Sequence, residues 1–119
     1  MMANDLGGTE LFCVIYEWSV LPGKEDQFRE TWRNITEAIF RQHGSLGSRL
    51  HHADDGRWIA YAQWPDREHW EHHADTINVE LERSRQAETL DGEVKVLFRL
   101  NVTDDLLKRA AFEGFAASK

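Results

Sequence analysis

The sequence predicts an α+β domain in which a four-stranded antiparallel sheet carries two helices on one face, and three observations predict it. Residues 11–20 and 94–102 alternate large apolar side chains at period two. Two intervening stretches space their apolar residues by four and three, the signature of a helix with one buried stripe. A third apolar run, Trp58 to Trp64, is reached from the strand before it through the tight turn Asp54-Asp55-Gly56, so the two middle strands form a hairpin.

Taken in order, residues 1–10 read as a mobile leader with little to bury. The first strand places Phe12, Val14, Tyr16, Trp18 and Val20 on one face, and Cys13 and Ile15 on the other. Pro22 and Gly23 turn the chain into a first helix whose stripe is Phe28, Trp32, Ile35 and Ile39, widened by Ala38 and Phe40. His43 and Gly44 end it, Gly44 suiting the left-handed cap.

A more polar strand over 45–53 leads through the hairpin to Trp58, Ala60, Ala62 and Trp64, which share a face. Pro65 cannot donate to a ladder, so the strand stops at Trp64 and the second helix starts near Asp66. Its stripe is Trp70, Ala74, Ile77 and Leu81, with the pattern extending to about Leu90; His73 lies beside the stripe, and His69 and His72 face solvent. The last strand puts Val94, Val96, Phe98, Leu100 and Val102 on one face and Lys95, Leu97, Arg99 and Asn101 on the other. Thr103 then reads as the N-cap of a C-terminal helical appendage over 103–119.

The order β-α-β-β-α-β over residues 11–102 is that of the ferredoxin-like fold. Its uncovered face would carry Cys13, Ile15, Tyr61 and Leu97, too apolar for water, which predicts a homodimer joined through the sheets. A formal charge of −7 with no basic stripe argues against nucleic acid as a partner, and no apolar run reaches membrane-spanning length. A single cysteine forbids an intrachain disulfide, and the first residues lack a secretory signal, which makes the cytoplasm the default location.

The apolar strand ending in PGKEDQF, the helix ending at HGSLGSRL, and AQWPDREHWEHH together resemble the antibiotic biosynthesis monooxygenase family. The resemblance covers roughly residues 11–102. It implies a dimeric α+β barrel with a pocket between sheet and helices in each subunit. It further implies oxidation of aromatic phenols or anthrones by molecular oxygen without metal or flavin, while another branch of the family degrades haem. On this resemblance the haem branch's asparagine, tryptophan and iron-ligating histidine would fall at Tyr16, His73 and near Arg83, and none of the three matches.

The expected activity is therefore a cofactor-independent monooxygenase acting on a small aromatic quinol, phenol or anthrone. Its alternative is a non-catalytic dimeric module that binds an aromatic metabolite or a protein partner. Such an oxygenase needs a base to remove a phenolic or benzylic proton, and imidazole titrates in the right range. His73 is the candidate base or substrate orienter, Tyr16 the hydrogen-bonding partner of a substrate oxygen, and Trp64 an aromatic wall, with Trp18, Trp32 and Trp70 lining the pocket. The bland readings stand beside these: His73 tying the second helix to a backbone carbonyl, and the aromatic residues as plain core. No metal is expected, because adjacent His51 and His52 point to opposite faces and His69 and His72 face solvent. Arg49, Arg57 and Arg99 are candidates for an acidic substrate or for surface ion pairs.

Overall fold

The computed structural model describes residues 11–107. Strand β1 spans Phe12–Trp18, helix α1 Glu25–His43, β2 Gly47–His52, β3 Trp58–Trp64, helix α2 Arg67–His72, helix α3 Ile77–Ala87 and β4 Lys95–Asn101. The sheet order is β2-β3-β1-β4, every pairing antiparallel, which is the ferredoxin-like α+β arrangement. The expected leader and residues 108–119 of the expected final helix lie outside the described residues. Thr103 to Leu107 is not helical, and Thr103 donates its hydroxyl to the Asp104 carboxylate (3.1 Å) rather than capping a helix.

β1 and β3 pair in register from Phe12 with Trp64 to Trp18 with Trp58. Directly paired residues share a face, so the period-two pattern of both strands delivers Phe12, Val14, Trp18, Trp58, Ala60, Ala62 and Trp64 to one buried layer. Helix α1 closes over it with Phe28 and Ile35 buried, and Gly44 ends the helix at φ 77°, where an L side chain would be strained. Phe40, expected to widen the stripe, is instead 55% exposed.

The second helical segment departs from expectation. The chain leaves the helix at His73, whose ψ of 146° is extended, and restarts at Ile77 behind an N-cap in which Thr76 accepts a hydrogen bond from the Val79 amide. This break turns the expected stripe outward: Ala74, Ile77 and Leu81 are exposed, while Val79 and Gln86 are buried. The inward side of α3 runs through Val79, Arg83 and Gln86, at spacings of four and three.

β4 also differs. Ile15 pairs with Phe98 but Tyr16 pairs with Val96, so Leu97 is the extra residue of a β-bulge. Val94 and Val96 face inward as expected, whereas Phe98 and Leu100 lie opposite Ile15 and Cys13 on the outer face, and Arg99 lies opposite Val14 on the inner one. The outer face thus carries Phe98 and Leu100 in place of the expected Leu97, with Phe98 58% exposed. There Tyr61 accepts hydrogen bonds from the Cys13 thiol (3.1 Å) and the Gln63 amide (3.0 Å).

Candidate functional site

Two aromatic clusters occupy the layer between sheet and helices. One centres on Trp18, Phe28 and Trp58, the other on Phe12, Val14 and Trp64, and Tyr16 packs against both. A cavity of about 110 Å³ draws its walls from both clusters. Five of the six residues expected at the site line it: Tyr16, Trp18, Trp32, Trp64 and His73. The sixth, Trp70, stands one bond back, donating its indole N–H to the Tyr16 hydroxyl (2.9 Å).

That bond decides what Tyr16 offers. Its oxygen already accepts from Trp70, and burial raises its pKa above the ordinary 10.0, against the opposing pull of the Trp70 hydrogen bond and of the Arg83 and Arg99 charges. The side chain therefore stays a phenol at neutral pH, able to donate its O–H.

His73 is oriented just as firmly. A carbonyl can only accept, so the 2.6 Å contact between Nδ1 and the Trp70 carbonyl places the proton on Nδ1. In the neutral ring Nε2 then carries the lone pair. The bond is the helix tie foreseen for this residue, and it leaves the second nitrogen out of that tie. The imidazole rests against Trp64, with ring centroids 4.9 Å apart, and against His43 at 5.7 Å.

Among the described residues, two buried side-chain polar atoms lack a hydrogen-bond partner, Trp64 Nε1 and His43 Nε2. Both belong to side chains that pack on His73. Buried donors and acceptors are ordinarily paired, and leaving one unmet costs on the order of 1–3 kcal/mol.

Arg83 lines the cavity and was not a candidate from sequence. It is fixed by Asp75, which lies in the same break between α2 and α3 that carries His73 and accepts from Arg83 Nε and Nη2. All three positions at which the haem branch's residues would fall, Tyr16, His73 and Arg83, line this one cavity with different chemistry. A sequence signal for Arg83 was present in the helix-breaking pair Asp75-Thr76, which resets the inward face of the following helix.

The histidines do not converge on a metal. His51 donates to the Ile59 carbonyl (3.0 Å), His52 stacks on Trp58 (4.2 Å), and His69 donates to the Asp66 carboxylate (2.8 Å). No group of three or more potential ligands occurs among the described residues. Arg57 pairs with Asp55 and Glu17 at the surface, whereas Arg99 lies over the Trp70 ring, 5.4 Å from its centroid. A second, larger hollow of about 380 Å³ opens on the outer face of the sheet between Tyr61, Gln63 and residues 102–107; neither histidine nor arginine lines it. Among the described residues no helix is long and apolar enough to cross a membrane.

The sheet order defines a ferredoxin-like α+β domain, with an aromatic-lined candidate site between sheet and helices. The chain belongs to the antibiotic biosynthesis monooxygenase family, whose model matches residues 11–80. No curated protein matches it in sequence. Among solved structures, a candidate antibiotic biosynthesis monooxygenase from Nitrosomonas europaea is 20% identical with a TM-score of 0.68, covering 84% of this chain and 94% of its own. A conserved protein from Methanosarcina mazei Go1 is 14% identical with a TM-score of 0.69, covering 82% of this chain and 97% of its own. SnoaB from Streptomyces nogalater, a cofactor-independent oxygenase, is 13% identical with a TM-score of 0.66, covering 83% of this chain and 99% of its own. At these identities the likeness is one of fold.

Proposed function

We propose that this protein is a cofactor-independent monooxygenase that oxidises a small phenol, quinol or anthrone with molecular oxygen. The observation that carries the proposal is that one aromatic cavity is lined by His73, whose Nδ1 proton is held by a carbonyl so that Nε2 has the lone pair, and by Trp64, whose buried indole N–H beside that imidazole has no partner. His73 takes the phenolic or benzylic proton. The Trp64 N–H and the Tyr16 O–H donate to the oxygen on which negative charge then develops.

The electron-rich anion passes one electron to oxygen, and the resulting radical and superoxide join to form a carbon–oxygen bond. Loss of water from that peroxide leaves a carbonyl, so one oxygen atom enters the ring and the other departs as water. Trp18, Trp32 and Ile35 make the dry walls that keep the radical pair from bulk solvent. The exposed Phe98 and Leu100 support a homodimer joined through the outer faces of the sheets, and the lone Cys13 is compatible with a cytoplasmic setting.

The competing reading is a non-catalytic module that binds a small aromatic molecule, in which the His73–Trp70 bond is only a helix tie. Oxygen uptake by metal-stripped protein against hydroquinones, naphthols and anthrones separates the two. Uptake that falls at least a hundredfold in His73→Ala, with the circular dichroism spectrum retained, supports the oxygenase. Uptake unchanged in that variant removes His73 as the base. Ligands that raise the melting temperature without consuming oxygen support the binding module.

A further inference from the structure

The cavity is small and one side of it is charged. At about 110 Å³ it is smaller than the roughly 150 Å³ engineered protein cavity that accommodates one benzene ring. A cavity of this size suits a single ring, and of the substrates considered above a fused tricycle such as an anthrone would have to extend out through the mouth. Arg83 and Val94 line the cavity yet remain about two-fifths exposed, so they form its mouth.

Two guanidinium groups gather at the Tyr16 end. Arg83 spends Nε and Nη2 on Asp75, which leaves its Nη1 edge unengaged by that carboxylate. Arg99, set on the inner face by the bulge at Leu97, lies over Trp70, and Trp70 in turn is bonded to Tyr16. Both charges act on the Tyr16 hydroxyl, pulling its pKa down against burial. Among the described residues Arg99 has no carboxylate within ion-pair distance. In a chain of net charge −7, an arginine at the cavity mouth with a second one just beyond it over Trp70 makes a local positive field that would favour an anion.

We infer that the substrate is a one-ring hydroxylated aromatic acid, whose ring enters between Trp64 and Trp32 while its carboxylate stays at the mouth against Arg83 and Arg99. This rests on the oxygenase reading for the fate of the ring but not for the binding. The arrangement places the phenolic oxygen toward Trp64 and His73 and the carboxylate in the half-hydrated position where a guanidinium holds it without full desolvation.

Anaerobic isothermal titration calorimetry with 2,5-dihydroxybenzoate, its methyl ester and hydroquinone tests the inference. The acid is expected to bind at least tenfold more tightly than the ester, the advantage shrinking at high salt and disappearing in Arg83→Gln, with Arg99→Gln losing part of it. Equal or tighter binding of the ester, or a preference that survives both substitutions, overturns it. Should Arg83→Gln fail to fold, the acid-to-ester ratio in the unaltered protein at low and high salt decides alone. Binding of the acid without oxygen uptake in air would sink the oxygenase reading and leave this inference standing. Uptake with hydroquinone favoured over the acid would do the reverse.

Discussion

Trp58 and Trp64 stand at the two ends of one strand, on the same face, each paired with an aromatic residue of β1. At the Trp58 end, Phe28 of α1 drives edge-on into both Trp18 and Trp58, at centroid distances of 5.4 and 5.6 Å, and the cluster is closed. At the Trp64 end the helix above is short, its last turn unwinds at His73, and the indole N–H is left with nothing to bond. Identical alternation in the sequence thus makes a core packed around Phe28 at one end and the His73 side of the candidate site at the other, with Trp18 shared between them. What separates them is the helix laid over each, and the mark of the difference is unmet polarity rather than aromatic content.

Phe28→Ala should break the closed end outright, costing about 3–5 kcal/mol as read by urea unfolding, because a fully buried ring leaves a void between two fixed indoles. A loss below about 1 kcal/mol would mean that this end is as loose as the other. Trp64→Phe probes the open end. It keeps a ring against His73 while deleting the N–H, and oxygen uptake should fall about a hundredfold while stability changes by about 1 kcal/mol or less, since no satisfied hydrogen bond is lost.

Smaller again is Thr76→Ala, which removes the cap of α3 and should cost about 1 kcal/mol, loosening Arg83 without touching the Trp58 end. Acid-to-ester discrimination should drop in the same variant; unchanged discrimination would mean that Arg83 is held by Asp75 alone. The gentlest probe is alkaline pH. Burial raises the pKa of both Tyr16 and Tyr61, so folding holds these phenols protonated. Their contribution is whole below the unfolded value near 10 and is lost as pH climbs through the raised folded values. Tyr16→Phe should remove the cavity's share of that alkaline loss and leave the share of Tyr61.

The strands were legible in the sequence because alternation over seven residues is hard to satisfy any other way, and β3 matches its expected face residue for residue. Five cavity residues were legible for the same reason, lying on those strands, on α1 or at the corner after Trp64. The second helix was misread for a physical cause. Its true inward stripe contains Arg83 and Gln86, polar residues that an apolar pattern passes over, while Ile77 and Leu81 supplied a false stripe that the break at His73 turns to solvent. Arg83 was missed along with it, because the helix-breaking Asp75-Thr76 that resets the inward face went unread. The bulge in β4 was passed over as well: Val96, Leu97 and Phe98 are three apolar residues in a row, which breaks the alternation at the bulge without revealing which of them stands outside the ladder.

That bulge acts as a frameshift written in space rather than in codons. Before Leu97 the odd-numbered residues of β4 face outward, and after it the even-numbered ones do. One unpaired residue therefore sets the parity of everything downstream, sending two apolar side chains to the outside and the Arg99 guanidinium to the inner side, over Trp70. Were Leu97 instead drawn into the ladder, Phe98 would take the place of Arg99 at the inner face, whereas deleting Leu97 would remove the bulge and leave Arg99 opposite Val14. A relative that paired this strand without the bulge would hold the same sheet with its Arg99 turned to the outer face, a change made with no substitution at any residue that lines the cavity.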